Sequence, residues 1–158
     1  MNVPVFDLHC DTALALLGDT VNEPGSLRKN DLHIDLERAK MLPGYCQCFA
    51  CFTTPFMEEW QKISPTLVFE REIATIQREL DKNSDLMELA YCAEEVEDLR
   101  ARGKMAAVLT IEGPAGFGFD PELLENLHQI GFRISTLGWN ESNPLTGSHM
   151  TGGGLTDQ

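Results

Sequence analysis

Basic residues are scarce in this chain. Its 158 residues hold 12 Lys and Arg against 25 Asp and Glu, a formal charge of −13. That balance argues against nucleic acid or an anionic membrane surface as a partner. Long apolar runs are missing as well, so no segment reaches the length a bilayer span requires. The N-terminus carries no basic stretch, and Asp7 and Asp11 interrupt its apolar start, which predicts no signal peptide. A disulfide framework is not expected either. The five cysteines are an odd number, and a cytoplasmic setting would keep them as thiols. Disorder is excluded by an apolar fraction of 42%, ordinary for one globular domain with a core.

Only four histidines are present. One of them ends the stretch Val3-Pro4-Val5-Phe6-Asp7-Leu8 and opens His9-Cys10-Asp11. Residues two apart on a strand share a face. His9 and Asp11 are therefore expected to project together, with Cys10 turned away. An imidazole beside a carboxylate suits zinc or a similar divalent ion. The plainer reading is a strand-end histidine, with Asp11 capping the helix that follows; both can hold. His33-Ile34-Asp35 repeats the spacing in a polar stretch, and it reads as a surface turn in which Asp35 caps a helix. Cys46, Cys48 and Cys51 lie in an apolar strand pattern. Cys46 and Cys48 fall on one face and Cys51 on the other, so they do not converge on a metal.

Extended and helical patterns alternate along the chain. Strands are expected over residues 3–9, 45–53, 105–112 and 132–139, with a short extended segment over 86–92. Helices are expected over 11–17, 35–41, 64–82, 93–102 and 121–130, and loops over 18–30 and 143–158. Ser64-Pro65 supplies a cap and a first-turn proline, and Gly103 and Gly131 supply helix stops. Such alternation predicts a parallel sheet with right-handed crossovers. Four β/α units in this length match the N-terminal half of a (β/α)8 TIM barrel, with parallel strands inside and helices outside. The chain is accordingly read as one partial barrel domain over 1–158, truncated at its C-terminal end.

Glu112 closes the very apolar third strand, just before Gly113-Pro114. It either marks a wet strand end or points into the barrel mouth beside His9 and Asp11. In the second case it could bridge two metal ions roughly 3.5–4 Å apart.

These residues, taken in order, resemble the renal (membrane) dipeptidase family, the M19 metallopeptidases. Val5 to Thr12 is similar to the family's opening, and His33 to Leu36 with Gly44 to Ala50 is similar to its second segment. Thr110-Ile111-Glu112-Gly113 is similar to its strand end, and Gly131 to Asn140 with Gly153-Gly154-Leu155-Thr156 to a fourth region. The resemblance implies a metal-dependent (β/α)8 barrel with two Zn2+ ions that hydrolyses dipeptides through a metal-bridging hydroxide. It makes His9 and Asp11 ligands of one metal and Glu112 the carboxylate bridging both. It also makes Trp139 and Asn140 residues of the substrate pocket, although the family usually has a histidine where Trp139 stands. Two further histidines and an aspartate come from later strands in the family, beyond Gln158, so the 158-residue chain by itself is expected to be inactive. The partner implied is a dipeptide, with no nucleic acid and no membrane. Two other readings stand beside this one. An amidohydrolase-type barrel would begin with His-x-His, which Asp11 argues against. A catalytically dead half-barrel would act as a binding or self-assembly module, forming a homo-oligomer through the open edges of strands one and four.

Overall fold

The structure, a computed structural model, describes residues 3–17 and 25–157. Part of the loop expected over 18–30 therefore lies outside the described residues. Strands β1 (Phe6–Asp7), β2 (Cys46–Phe52), β4 (Met105–Glu112) and β5 (Phe132–Ser135) lie side by side, all parallel. Strand β3 (Met87–Leu89) shares an edge of β4 with β5. It pairs with Met105–Ala107, whereas β5 pairs further along, with Leu109–Ile111. The four expected strands thus build one wall of a partial (β/α) barrel.

One face of this wall carries the main core. Phe49, Cys51, Leu109 and Ile111 pack there with Phe69, Ile76 and Leu80 of helix α4 (Pro65–Lys82). Ser64 caps α4 by accepting the Leu67 N–H. The opposite face has small residues, Cys46, Cys48, Ala106 and Val108. Helix α5 (Ala93–Ala101) lays Val96 and Leu99 over their N-terminal end, and Arg100 Nε donates to the Gly44 carbonyl at 2.9 Å. The C-terminal end of that face, with Phe52 and Glu112 in register, is left for the site. As the alternation predicts, Cys46 and Cys48 lie in one cluster and Cys51 in the other.

Strand β1 is interrupted where the site begins. Phe6 pairs with Cys46 and Asp7 with Gln47. An unbroken ladder would next bond His9 to Cys48 and Ala50. Instead the Cys10 N–H donates to the Cys48 carbonyl and the Cys10 carbonyl accepts from Ala50. One extra residue has entered the strand, a β-bulge. The displaced His9 N–H is satisfied by Asp7 Oδ1 at 3.1 Å.

Several elements differ from the sequence expectation. The first strand and helix are shorter, because the bulge ends β1 at Asp7 and α1 covers only Thr12–Ala15. Helix α2 (Leu36–Ala39) is shorter too, but Asp35 caps it as expected by accepting the Arg38 N–H. Helix α3 (Met57–Gln61) was not expected. The segment from Pro121 opens as a 3-10 turn before α6 (Leu124–Gln129). The fourth strand stops at Ser135, short of Trp139. Most clearly, the tail expected as a loop contains a hairpin, β6 (Thr146–Ser148) against β7 (Gly152–Leu155). Asn143 Oδ1 starts it by accepting the Leu145 and Thr146 N–H groups. Gly147 lets the strands meet, since a Cβ there would lie 2.1 Å from the Gly152 carbonyl oxygen. Glycines hid this strand pair, because they carry no alternation to read.

Two glutamates on the buried side of α4 tie the helix down. Glu79 accepts the Leu27 N–H at 2.9 Å and pairs with Lys82 at 3.1 Å. Burial alone would raise its pKa, but these partners hold it below the ordinary value. Glu72 is fully buried. Its Oε1 accepts the Phe52 N–H at 3.1 Å, and its Oε2 has no partner. Burial, and then the like charges of Asp11 and Glu112, push the Glu72 carboxyl up to about 9, against the pull of the Phe52 N–H. Between its ordinary 4.5 and about 9, the folded chain keeps a proton that the unfolded chain has released. Stability therefore falls as pH rises through that window. In the metal-free chain, Glu72→Gln is expected to remove a pH slope of up to about 1.4 kcal/mol per unit. Denaturant titrations of both proteins at pH 5, 7 and 9 (chosen to span roughly that window) check this; parallel pH curves would refute the assignment.

Candidate metal centre

The bulge decides which way the first two site residues face. With it, Cys10 takes the place next to Phe49 and is buried in the main core with Phe49 and Cys51. His9 and Asp11 are turned to the opposite face, the one that carries Glu112. Cys10 is thus turned away, as the His-x-Asp spacing implies. The Asp11 carboxylate makes no cap hydrogen bond to α1. It faces His9 instead, with Oδ1 3.2 Å from His9 Nε2. Glu112 Oε2 approaches the same Nε2 to 3.4 Å from the far side of the mouth.

Three donors from two stretches of chain, the segment after β1 and the end of β4, therefore converge, and one ligand atom of each lies within 4.8 Å of the others. Donors about 2.0–2.2 Å from a tetrahedral zinc ion lie roughly 3.3–3.6 Å from one another. The two approaches to His9, at 3.2 and 3.4 Å, are close to that spacing. The donor set, one imidazole and two carboxylates, fits a divalent cation of zinc type. Burial and the neighbouring Asp11 raise the Glu112 carboxyl, while His9 opposes them. Two carboxylates crowding one imidazole is an arrangement that a cation would relieve.

The strand end bearing Glu112 is fixed from both sides. Thr53 N–H donates to the Glu112 carbonyl at 2.9 Å. Thr53 Oγ1 donates to the Gly113 carbonyl at 2.8 Å, and the Gly113 N–H donates to Thr136 Oγ1 at 2.9 Å. Gly113 sits at φ +80°, and a Cβ there would lie 2.1 Å from the Thr53 carbonyl oxygen. Only glycine can follow Glu112 in this conformation.

Trp139 and Asn140, expected in the pocket, follow β5 on the same rim. Trp139 is half-buried and meets the Phe52 ring edge-on, with centroids 4.9 Å apart. Asn140 is exposed, and its backbone carbonyl accepts from Ser148 Oγ at 2.7 Å, which ties it to the hairpin. His33 lines a cleft of about 340 Å³ with His9 and Asp11, but it is not among the converging donors.

The sequence reading missed two residues around this centre. Asp7 holds the bulge, and its signal was a carboxylate two residues before an expected ligand, on an otherwise apolar strand. Glu72 lies beneath the centre. Its signal was an acidic residue in the apolar stripe of α4, between Phe69 and Ile76.

Comparison with known proteins bears on the fold and the family. The chain superposes on a metallo peptidase from Rhodobacter sphaeroides, solved with a phosphinate mimic of the dipeptide L-Ala-D-Ala. The TM-score is 0.78 at 23% identity, covering 99% of this chain and 54% of that one. A dipeptidase of family M19 gives a TM-score of 0.73 at 22% identity, covering 99% of this chain and 53% of that one. An uncharacterized protein of the PQQ-III 3′ region in Acinetobacter calcoaceticus is 26% identical, over 98% of this chain and 57% of its own length. The chain thus spans a little over half the length of the relatives it matches. The membrane dipeptidase model matches residues 1–157, and the chain belongs to that family, peptidase family M19.

Proposed function

We propose that this chain is the N-terminal part of a zinc-dependent dipeptidase. The observation that carries the reading is the convergence of His9, Asp11 and Glu112, with one ligand atom of each within 4.8 Å of the others. In this reading His9 and Asp11 hold one metal, and Glu112 reaches both. The two zinc ions, when bound, would lower the pKa of a water and polarise the scissile carbonyl. The protein's part is to hold the donors in place and to seat the dipeptide against Trp139 and Asn140. The remaining donors are assigned to the half of the family barrel that the chain does not span. We place the protein in the cytoplasm, in keeping with its free cysteines.

A second reading, a dead half-barrel that binds or self-assembles, draws on Phe6 and Ile134. They are 47% and 48% exposed, and their register partners Cys46 and Thr110 place them on the face that bears Glu112. Metal binding separates the two readings, because assembly needs none.

Four outcomes are expected. A full-length protein carrying this half should hydrolyse dipeptides only with zinc. Replacing Glu112 by Ala should lower its turnover at least about 10²-fold, the scale for losing one charge-stabilising group; unchanged turnover would sink the bridging role. The 158-residue chain alone should show no zinc-dependent turnover, and activity in a clean preparation would contradict this. Asp7→Ala frees the His9 N–H that holds the bulge, and should weaken zinc binding about 10–100-fold. Asp7→Asn keeps an acceptor oxygen and should weaken it less. Calorimetric zinc titration of both variants decides the point, and equal affinities would refute it.

A further inference from the structure

Four aromatic rings gather on the rim beside the donor triad. Phe52 ends β2, Phe56 and Trp60 belong to the turn and helix of α3, and Trp139 follows β5. Trp139 meets Phe52 edge-on at 4.9 Å and Trp60 edge-on at 6.2 Å. Trp60 in turn stacks on Phe56 at 5.7 Å. The row begins at the metal centre itself, because Phe52 is the register partner of Glu112 and its side chain stands on the same face. It ends in solvent, with Phe56 42% and Trp60 54% exposed. Rings held against one another, edge-on and stacked, with two of them open to solvent, form an apolar wall.

We infer that this wall receives one side chain of the dipeptide, and that the enzyme prefers substrates with an aromatic or bulky aliphatic residue there. The inference rests on the dipeptidase reading. An apolar occupant is favoured over a cationic one by the helix geometry. Phe56 and Trp60 are four residues apart and share a face, with Glu59 at its flank and Glu58 on the opposite side of α3. Trp139 supports the same choice. Its indole can donate one hydrogen bond and accept none, so it offers the substrate chiefly apolar surface.

The chain has only two tryptophans, and both lie in this row, so intrinsic fluorescence from this half reports on it directly. Zinc binding is first measured by calorimetry on the full-length protein carrying this half, which holds the remaining donors. The zinc-loaded protein is then titrated with phenylalanyl-alanine, glycyl-glycine and lysyl-alanine. Phenylalanyl-alanine is expected to change the emission with a half-saturation at least about tenfold below that of glycyl-glycine, the scale of an apolar pocket's discrimination. Trp60→Ala changes an exposed residue. It should erase most of that preference, read calorimetrically, and leave zinc affinity unchanged. Trp139→His should erase it too. If zinc binds and the three dipeptides bind alike, if lysyl-alanine wins, or if none alters the emission, the aromatic site is overturned and the dipeptidase reading survives. If zinc does not bind, the dipeptidase reading falls and takes the aromatic site with it.

Discussion

The hydrogen bond from the His9 N–H to Asp7 Oδ1 is the contact on which the site depends. A regular β1 would place His9 on the same face as Val5 and Asp7, toward the helix-covered core. An imidazole there would be away from Glu112 altogether. The one-residue bulge reverses this, and it also delivers Cys10 to the core as a small apolar plug. A bulge leaves one N–H without a ladder partner, and buried or half-buried N–H groups need one. The Asp7 carboxylate supplies it from within the same turn. The chemistry of the opening segment is therefore a backbone matter first and a side-chain matter second.

The second constraint is charge. Asp11 and Glu112 raise the proton affinity of Glu72, and Asp11 raises that of Glu112, in a chain that already carries −13. Glu72 escapes by keeping its proton, because burial makes the charged form costly. Among the described residues, Asp11 and Glu112 have His9 as their one ion-pair partner. Such an arrangement is held by the strands rather than by its own attractions. The Thr53, Gly113 and Thr136 bonds that pin the end of β4 have that role. The fold thus supplies the rigidity, and the site supplies a demand for positive charge.

Much of this was legible in the residues. The alternation of patterns led to the parallel strand order, and the β4 run ending in Glu112 led to the mouth of the barrel. The spacing of His9 and Asp11 led to their common direction, but it gave no hint of the bulge that sets which face they share. A bulge leaves no mark in apolar periodicity, because it is a single irregular residue. Helix α3 was hidden for another reason: five residues are too few for a helical period to emerge. The β6–β7 hairpin was hidden because Gly152, Gly153 and Gly154 have no side chains to alternate. In each case the missing information was backbone conformation, which side-chain patterns report only when repeated.

The departures of this chain from the family it resembles follow the same division. The three converging side chains follow β1 and end β4, where the bulge and the strand ladder leave little freedom. Trp139, where the resemblance implies a histidine, lies past the end of β5. There a histidine can give way to an indole without disturbing the sheet, because the position faces Phe52 and Trp60 rather than a neighbouring strand. Strand ends fix what chemistry is available, and the turns beyond them decide what the chemistry meets.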